Sequence, residues 1–282
     1  MCTVQANNLI TKEKHMKNET TYYSEAIDYL LTFDGITKDV LDEYTNKKKW
    51  EQRRPNDMKE LFKRFLHHAK NRQGMPNSIG YVDKLSKVLF SFNHNKVIAN
   101  YKTWEDVFDA IQDSKYKPPG RMEKYNNRSH WVQYCKSIMS IANFISNYKN
   151  LDEWNEFVNG FLTNEQSKLA LPLLLKEEID GFGFALACDF IKESVSPQFV
   201  KPDVHINWIA QKLGITESEK DYQIFKDVEK YCNEINELPY AVDKILWLVG
   251  SGNFHLHDIK INCSREDFLI KKSENSPKCI CG

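Results

Sequence analysis

Apolar residues recur three and four positions apart along much of the chain, a spacing typical of amphipathic α-helices. From Met58 onwards this spacing predicts a helix that ends near Asn71. Further helices are predicted over 24–44 with a turn at Asp34-Gly35, over 82–92, from Thr103, and over 131–148, 151–162, 222–232 and 240–249. No segment alternates apolar and polar residues over the length of a convincing strand. We therefore expect an all-α fold.

The most informative stretch is 171–213, where a leucine-rich helix is predicted to begin at Pro172 and to run to about Ile179. Gly181-Phe182-Gly183 then breaks the helix, because glycine tolerates positive φ and permits a tight turn. A second helix over 184–193 carries apolar residues on one face and is predicted to pack back on the first. The sequence thus predicts a helix-hairpin-helix, whose turn amides could bind one phosphate of a nucleic acid.

A third helix follows, and Asp203 stands where its N-cap is expected. Pro202 cannot extend a helix from upstream, and the apolar run from Ile206 to Leu213 is closed by Gly214. The simplest role for Asp203 is that of a cap on this helix.

The ordered set of helix, G-x-G hairpin, helix, loop and Asp-x-His resembles the helix-hairpin-helix (HhH-GPD) DNA glycosylases. That superfamily includes endonuclease III, the adenine glycosylase of mismatch repair, 8-oxoguanine glycosylase and alkyladenine glycosylases. Gly181-Phe182-Gly183 stands where that family has G-V-G, and Asp203-Val204-His205 with Ile209-Ala210-Gln211 is similar to the D-V-H and I-A-Q of the 8-oxoguanine enzymes. The resemblance covers about 58–262 and implies a two-lobed helical fold with DNA in the cleft between the lobes.

By this resemblance Asp203 is the catalytic carboxylate, which would stabilise positive charge on the sugar as the N-glycosidic bond breaks. His205 would hold a phosphate, or else be an ordinary exposed helix residue. Family members that also cleave the strand have a lysine nucleophile where this chain has Ala185, so the resemblance implies a monofunctional enzyme that leaves an abasic site. We expect Lys192, further along the same helix, to be solvated.

The resemblance also places other residues against DNA. Gly181, Phe182 and Gly183 would bind the backbone, and Asn71, Arg72 and Gln73 would fill the gap left by the flipped base, with Met75 a possible wedge. The stretch that begins Tyr125-Asn126 resembles the Y-N-x-K of endonuclease III. Tyr125 and Asn126 would then face the base pocket, although Tyr125 could instead pack on neighbouring helices.

Charge and composition restrict the class of partner. Lysine and arginine number 39, as do aspartate and glutamate, so affinity for DNA cannot rest on a global basic field. Between Lys47 and Arg72 ten basic residues face three acidic ones. Such a run is commonly a solvated helix face, but this one directly precedes the loop assigned to DNA contact.

The seven cysteines are odd in number and fit no disulfide scaffold, which indicates a reducing compartment. Cys263, Cys279 and Cys281 lack the tight spacing of an iron-sulfur cluster, and with His255 and His257 they match no zinc site that we can name. We therefore expect no cofactor. No apolar run is long enough to cross a bilayer and no signal peptide is evident, so a cytoplasmic, nucleoid-associated protein is predicted.

The predicted organisation is an N-terminal helical region (1–57), a helix-hairpin-helix core (58–220) and C-terminal helices with a cysteine-containing tail (221–282). About the first 20 residues are expected to be flexible. We expect a monomer that binds double-stranded DNA containing a damaged or modified base and does not bind membranes. Three functions compete: base excision in repair, the same chemistry on a hypermodified phage-type base as antiviral defence, and DNA binding without catalysis.

Overall fold

The computed structural model describes residues 21–262 and 265–269, and these residues are predominantly helical, as predicted. The N-terminal third contains α1 (Tyr22–Leu30), α2 (Lys38–Thr45), α3 (Lys47–Gln52), α4 (Met58–Ala69), α5 (Met75–Ile79) and α6 (His94–Asn100). The middle contains α7 (Trp104–Gln112), α8 (His130–Ile145), α9 (Leu151–Phe161), α10 (Glu165–Glu178) and α11 (Phe184–Ser194). The chain continues with α12 (Val204–Lys212), α13 (Asp221–Glu234) and α14 (Pro239–Ser251).

Two short strands follow α14. β1 (Asn253–Phe254) pairs antiparallel with β2 (Ile259–Lys260), with Asn253 opposite Lys260. Residues 265–269 are again helical. Within the described residues no helix is both long and apolar enough to cross a membrane. The cysteine-containing tail and the N-terminal segment that we expected to be flexible lie outside the described residues, apart from 265–269 in the tail.

Two helices organise the packing. Helix α8 is apolar around most of its circumference, and it packs against α4, α5, α6 and α7. Helix α14 is similarly apolar and packs against α1, α2, α12 and α13, so that the N-terminal helices lie on the C-terminal part of the chain. The hydroxyl of Tyr44 in α2, for example, accepts a hydrogen bond from the main-chain N of Leu256 at 2.7 Å.

The leucine-rich helix begins earlier than predicted. Asn164 caps α10, its side-chain oxygen accepting from the main-chain N of Ser167 at 2.9 Å, and Pro172 lies inside the helix rather than in its first turn. Proline has no N–H to donate, so the helix lacks one main-chain hydrogen bond there. Pro172 is buried, and its side chain packs in the core.

The region after α4 also differs from the prediction. Between Gly74 and Gly80, where a loop was predicted, the short helix α5 forms. The helix predicted over 82–92 is instead two 3₁₀ turns, Val82–Leu85 and Phe90–Phe92. Phe90, Ser91 and Phe92 have positive φ, a conformation that a right-handed α-helix excludes and that non-glycine residues rarely adopt.

Candidate functional site

The predicted hairpin is present between α10 and α11. Gly181 has φ +84°, in the left-handed region that glycine tolerates, and the main-chain N of Phe182 donates to the carbonyl of Ile179 at 3.1 Å. Helix α8 holds the turn through two hydroxyls. The hydroxyl of Ser137 donates to the carbonyl of Asp180 at 2.6 Å, and the hydroxyl of Ser140 accepts from the N–H of Asp180 at 2.9 Å. The turn is therefore fixed to the most buried helix of the middle region.

The outer side of the hairpin is open. Gly183 caps α11 without a side chain, so the amides of Phe184, Ala185 and Leu186 have no acceptor among the described residues. A Cβ built on Gly183 would meet no atom within 4 Å. The Phe182 side chain is buried, and its ring lies 6.0 Å from that of Phe65. Only the main chain of the turn is therefore available to a phosphate.

Arg72 lies against this hairpin. A Cβ built on Gly181 would stand 3.0 Å from Nη1 of Arg72. The fold thus brings the loop after α4 beside the hairpin turn, and the sequence analysis predicted that both segments contact DNA. Asn71 and Gln73, in the same loop, are exposed. Met75 is fully buried, so its assignment as a wedge was wrong: the helix α5 that forms there turns this side chain into the core.

Asp203 is the N-cap of α12, as predicted. Its Oδ1 accepts from the main-chain N of His205 at 2.9 Å and from that of Ile206 at 3.1 Å. Its Oδ2 lies 3.9 Å from Nζ of Lys201 and has no other described partner. The side chain is 16% exposed, so the carboxylate is not fully enclosed by the protein.

His205 is not an exposed helix residue, because its ring packs against α14. A Cβ built on Gly250 would stand 2.6 Å from Nδ1 of His205, and this nitrogen is buried without a partner. Burial lowers the pKa of His205, and Lys201 adds to this effect, although Asp203 opposes it. A neutral imidazole can bind phosphate only as a hydrogen-bond donor, so a charged His205–phosphate contact is disfavoured.

Lys201 lies between two carboxylates. Its Nζ is 3.4 Å from Oδ2 of Asp189 and 3.9 Å from Oδ2 of Asp203. Asp189, on α11, also contacts Nδ1 of His68 on α4 at 2.9 Å. Burial alone would raise the pKa of Asp189, but Lys201 and His68 outweigh it and hold that pKa well below its usual range. Burial likewise opposes the charge on Lys201, yet Asp189 and then Asp203 raise its pKa, so the ammonium stays charged.

The ion pairs continue inward. Lys192 is 3% exposed, and its Nζ forms a close ion pair with Asp243 on α14 and lies 3.7 Å from Oδ1 of Asp189. Glu193 accepts from Lys244 at 2.7 Å. The prediction that Lys192 is solvated was wrong: a buried carboxylate from another helix pairs with it, and although burial would lower its pKa, Asp243 raises that pKa well above its usual range.

We call this set the charge network; with Asp203 at its outer end it comprises His68, Asp189, Lys192, Glu193, Lys201, Asp243 and Lys244. Sequence reasoning missed all of these members except Asp203. A signal was present, since α11 places an acid and a lysine three positions apart among apolar residues, and α14 has one acid in a buried run. A charge on a buried helix face requires a partner of opposite sign.

Tyr125 does not pack on neighbouring helices, because its side chain is 97% exposed. Tyr125 and Asn126 line a surface depression of about 610 Å³ between the end of α7 and the following loop, beside the ion pair of Lys124 with Asp109. No described contact joins either residue to Asp203. Their assignment to a base pocket stays a prediction.

The basic run before the loop is largely used within the fold. Lys49 lies 2.8 Å and 2.6 Å from two carboxylates of α2. Arg64 and Lys70 donate to main-chain carbonyls at 2.7 Å and 3.0 Å. These three side chains therefore make contacts within the fold. Arg72, at the end of the run, lies at the hairpin instead.

Within the part of the chain that the structure describes, no three histidine, cysteine or acidic side chains are grouped so as to hold a metal ion. Cys263, Cys279 and Cys281 lie outside it. Cys135, Cys188 and Cys232 are buried and unpaired. Burial raises the pKa of each of these three thiols, which keeps them in the unreactive protonated form.

Comparisons of the chain with models of protein families, with characterised proteins and with solved structures give no match. The site is therefore interpreted from its own geometry. It consists of the unpaired amides at the α10–α11 hairpin, Arg72 beside Gly181, and a partly exposed carboxylate at the N-terminus of α12 that adjoins the charge network.

Proposed function

We propose that this protein is a monofunctional DNA glycosylase with the helix-hairpin-helix (HhH-GPD) fold, and that Asp203 assists hydrolysis of the N-glycosidic bond of a damaged or modified base. The observation that carries the proposal is the state of the Asp203 carboxylate. One oxygen accepts two helix amides, while the other has no described hydrogen bond and only a distant ammonium 3.9 Å away. Any aspartate cap has a second oxygen, and what distinguishes Asp203 is that this oxygen lies beside Lys201, whose ammonium also contacts the buried Asp189.

The chemistry needs a fixed negative charge. As the bond between sugar and base breaks, positive charge develops on the sugar, and a carboxylate held close to it lowers the barrier by electrostatic stabilisation. The two amide hydrogen bonds hold Oδ1 of Asp203 at the N-terminus of α12. Its free oxygen can also orient the attacking water.

Two residues favour attack on the sugar by water over attack by an amine of the protein. Ala185 has no nucleophile to offer at the second helical position of α11. The amine that lies beside Asp203 is that of Lys201, and Asp189 keeps it protonated against the effect of burial. A protonated amine cannot attack the sugar, so we expect an abasic site and no strand cleavage.

DNA would be bound chiefly at the hairpin. The three unpaired amides at the start of α11 can donate hydrogen bonds to one phosphate, and Arg72 beside Gly181 can contact the next phosphate or fill the space left by the flipped base. The zero net charge indicates that binding depends on this local site rather than on a basic surface. The target base, in repair or in antiviral defence, depends on a pocket that these contacts do not define.

The experiment is excision from labelled duplexes that carry oxidised, alkylated, deaminated, mismatched or hypermodified bases, with and without alkali. Strand breaks that appear only after alkali support the proposal and identify the base. Breaks without alkali, together with a covalent product trapped by borohydride, would show that an amine such as Lys201 acts as nucleophile. Tight binding without excision of any base would favour a DNA-binding module, in which Asp203 is a cap alone.

A further inference from the structure

The position of Lys201 is fixed from three sides. Its main-chain N donates to Oδ2 of Asp243 at 2.6 Å, and its Nζ lies 3.4 Å from Asp189 and 3.9 Å from Asp203. The side chain is 20% exposed, so the ammonium lies at the boundary between the charge network and the surface. Its closer partner is Asp189, and that carboxylate is in turn held by His68 at 2.9 Å.

We propose that Lys201 is a positioning residue for Asp203, and that Asp189, held by His68, keeps Lys201 from neutralising the Asp203 carboxylate. This inference rests on the proposed function. An ammonium in direct contact would fix Asp203 but would also cancel the charge that stabilises the sugar cation. At 3.9 Å, with its charge shared with Asp189, Lys201 orients Oδ2 and leaves its charge available.

We therefore expect that removing either Lys201 or Asp189 slows excision, and that the two variants do so for opposite reasons. Lys201→Met removes the cation, so the free oxygen of Asp203 loses its orientation. Asp189→Asn releases Lys201, whose ammonium then forms a tight pair with Asp203. In both variants we expect the single-turnover rate to fall on the order of 10- to 100-fold with little change in KM, because Asp203 acts on the transition state and not on DNA binding.

Glu229→Gln is the matched control. Glu229, on α13, is a buried acid that forms a close ion pair with Lys168 on α10, and it has no ion pair with the charge network in the described structure. It should alter stability but leave the excision rate within about threefold of wild type. If Glu229→Gln is as slow as Asp189→Asn, loss of any buried ion pair slows excision and the proposal is wrong.

Crystal structures test the inference independently of activity. In Asp189→Asn, the Lys201 Nζ to Asp203 Oδ2 distance should shorten from 3.9 Å to about 2.8 Å, the length of a charged hydrogen bond. An unchanged distance would overturn the proposal. If Asp189→Asn does not fold, Lys201→Met decides instead: the Asp203 carboxylate should turn while its Oδ1 still caps α12, and an unmoved carboxylate contradicts the inference. A wild type that excises no base would overturn the proposed function, and these structures would still test the positioning.

Discussion

Gly250 determines how closely α14 approaches the first turn of α12. It lies in the last turn of α14, and the His205 side chain occupies the space where any larger residue would place its Cβ. Because His205 is two residues from Asp203, this contact helps to set the position of the carboxylate. Asp203 is thus positioned by Gly250 through His205 on one side and by Lys201 on the other.

Gly250→Ala should therefore destabilise the protein, since the new Cβ would lie 2.6 Å from Nδ1 of His205. We expect a loss of about 1–3 kcal/mol in the free energy of unfolding, typical of overpacking, measured by urea denaturation. The matched control is Gly160→Ala in α9, where a new Cβ would meet nothing within 4 Å. That exposed position should gain about 0.5–1 kcal/mol from helix propensity. Equal effects at the two glycines would contradict the packing argument.

At the scale of elements, three segments form the proposed DNA surface. The hairpin supplies amides, the loop after α4 supplies Arg72, and α8 anchors the hairpin through the hydroxyls of Ser137 and Ser140. Their relative positions depend on helix packing, so a small shift of one segment changes how the hairpin amides and Arg72 would contact a phosphate.

Arg72→Ala should weaken binding to undamaged duplex DNA about equally for all sequences. Loss of one phosphate contact reduces the slope of log affinity against log salt by about 1. Lys59→Ala is the control, because this exposed lysine lies in the first turn of α4, at the far end of the helix from Arg72. Fluorescence anisotropy at several salt concentrations measures both variants. A salt slope unchanged by Arg72→Ala would remove Arg72 from the DNA surface.

Local signals in the sequence predicted several element boundaries correctly. The Asp106 carboxylate accepts from the main-chain N of Thr103 at 2.9 Å as a capping box requires, and Asp203 and Gly214 bound α12 as expected. These signals act within one turn of a helix. The hairpin was predictable for the same reason, since its glycine turn and flanking helices are contiguous in sequence.

The failures concern long-range contacts. Lys192 is buried because Asp243 pairs with it from 51 residues away, and Asp189 pairs with His68 across 121 residues. Periodicity cannot show which charged residues meet across the core. Met75 was misassigned for a related reason, because its burial depends on a short helix that only tertiary packing stabilises.

At the scale of the whole molecule, buried titratable groups determine how stability varies with pH. Burial lowers the pKa of His67 to about 4. Between pH 6.5 and about 4, His67 is therefore protonated in the unfolded chain but neutral in the folded protein. Although burial opposes the charge on Glu193, Lys244 and Lys192 lower its pKa to about 2 from an ordinary 4.5. Asp189 is shifted in the same direction as Glu193.

The stability of the protein should therefore fall in two stages on acidification. His67 contributes a loss as pH falls from 6.5 to about 4, and Glu193 with Asp189 contributes a further loss from about 4.5 towards 2. Thermal unfolding followed by circular dichroism between pH 7 and 3 should show a Tm that decreases throughout. Glu193→Gln should flatten the lower stage alone. A Tm that is constant between pH 6.5 and 4 would contradict the assignment of His67.

The central claim is that Asp203 acts in catalysis as well as in capping. The direct test counts abasic sites formed by wild type and by Asp203→Asn in oxidised, alkylated and hypermodified DNA. Asparagine caps a helix as well as aspartate, so the variant should fold normally, while its excision rate should fall on the order of 100- to 1000-fold. Asp57→Asn, at the cap of α4 where Oδ1 accepts from Glu60 N at 2.8 Å, should excise at the wild-type rate. Excision by Asp203→Asn at the wild-type rate would contradict the account.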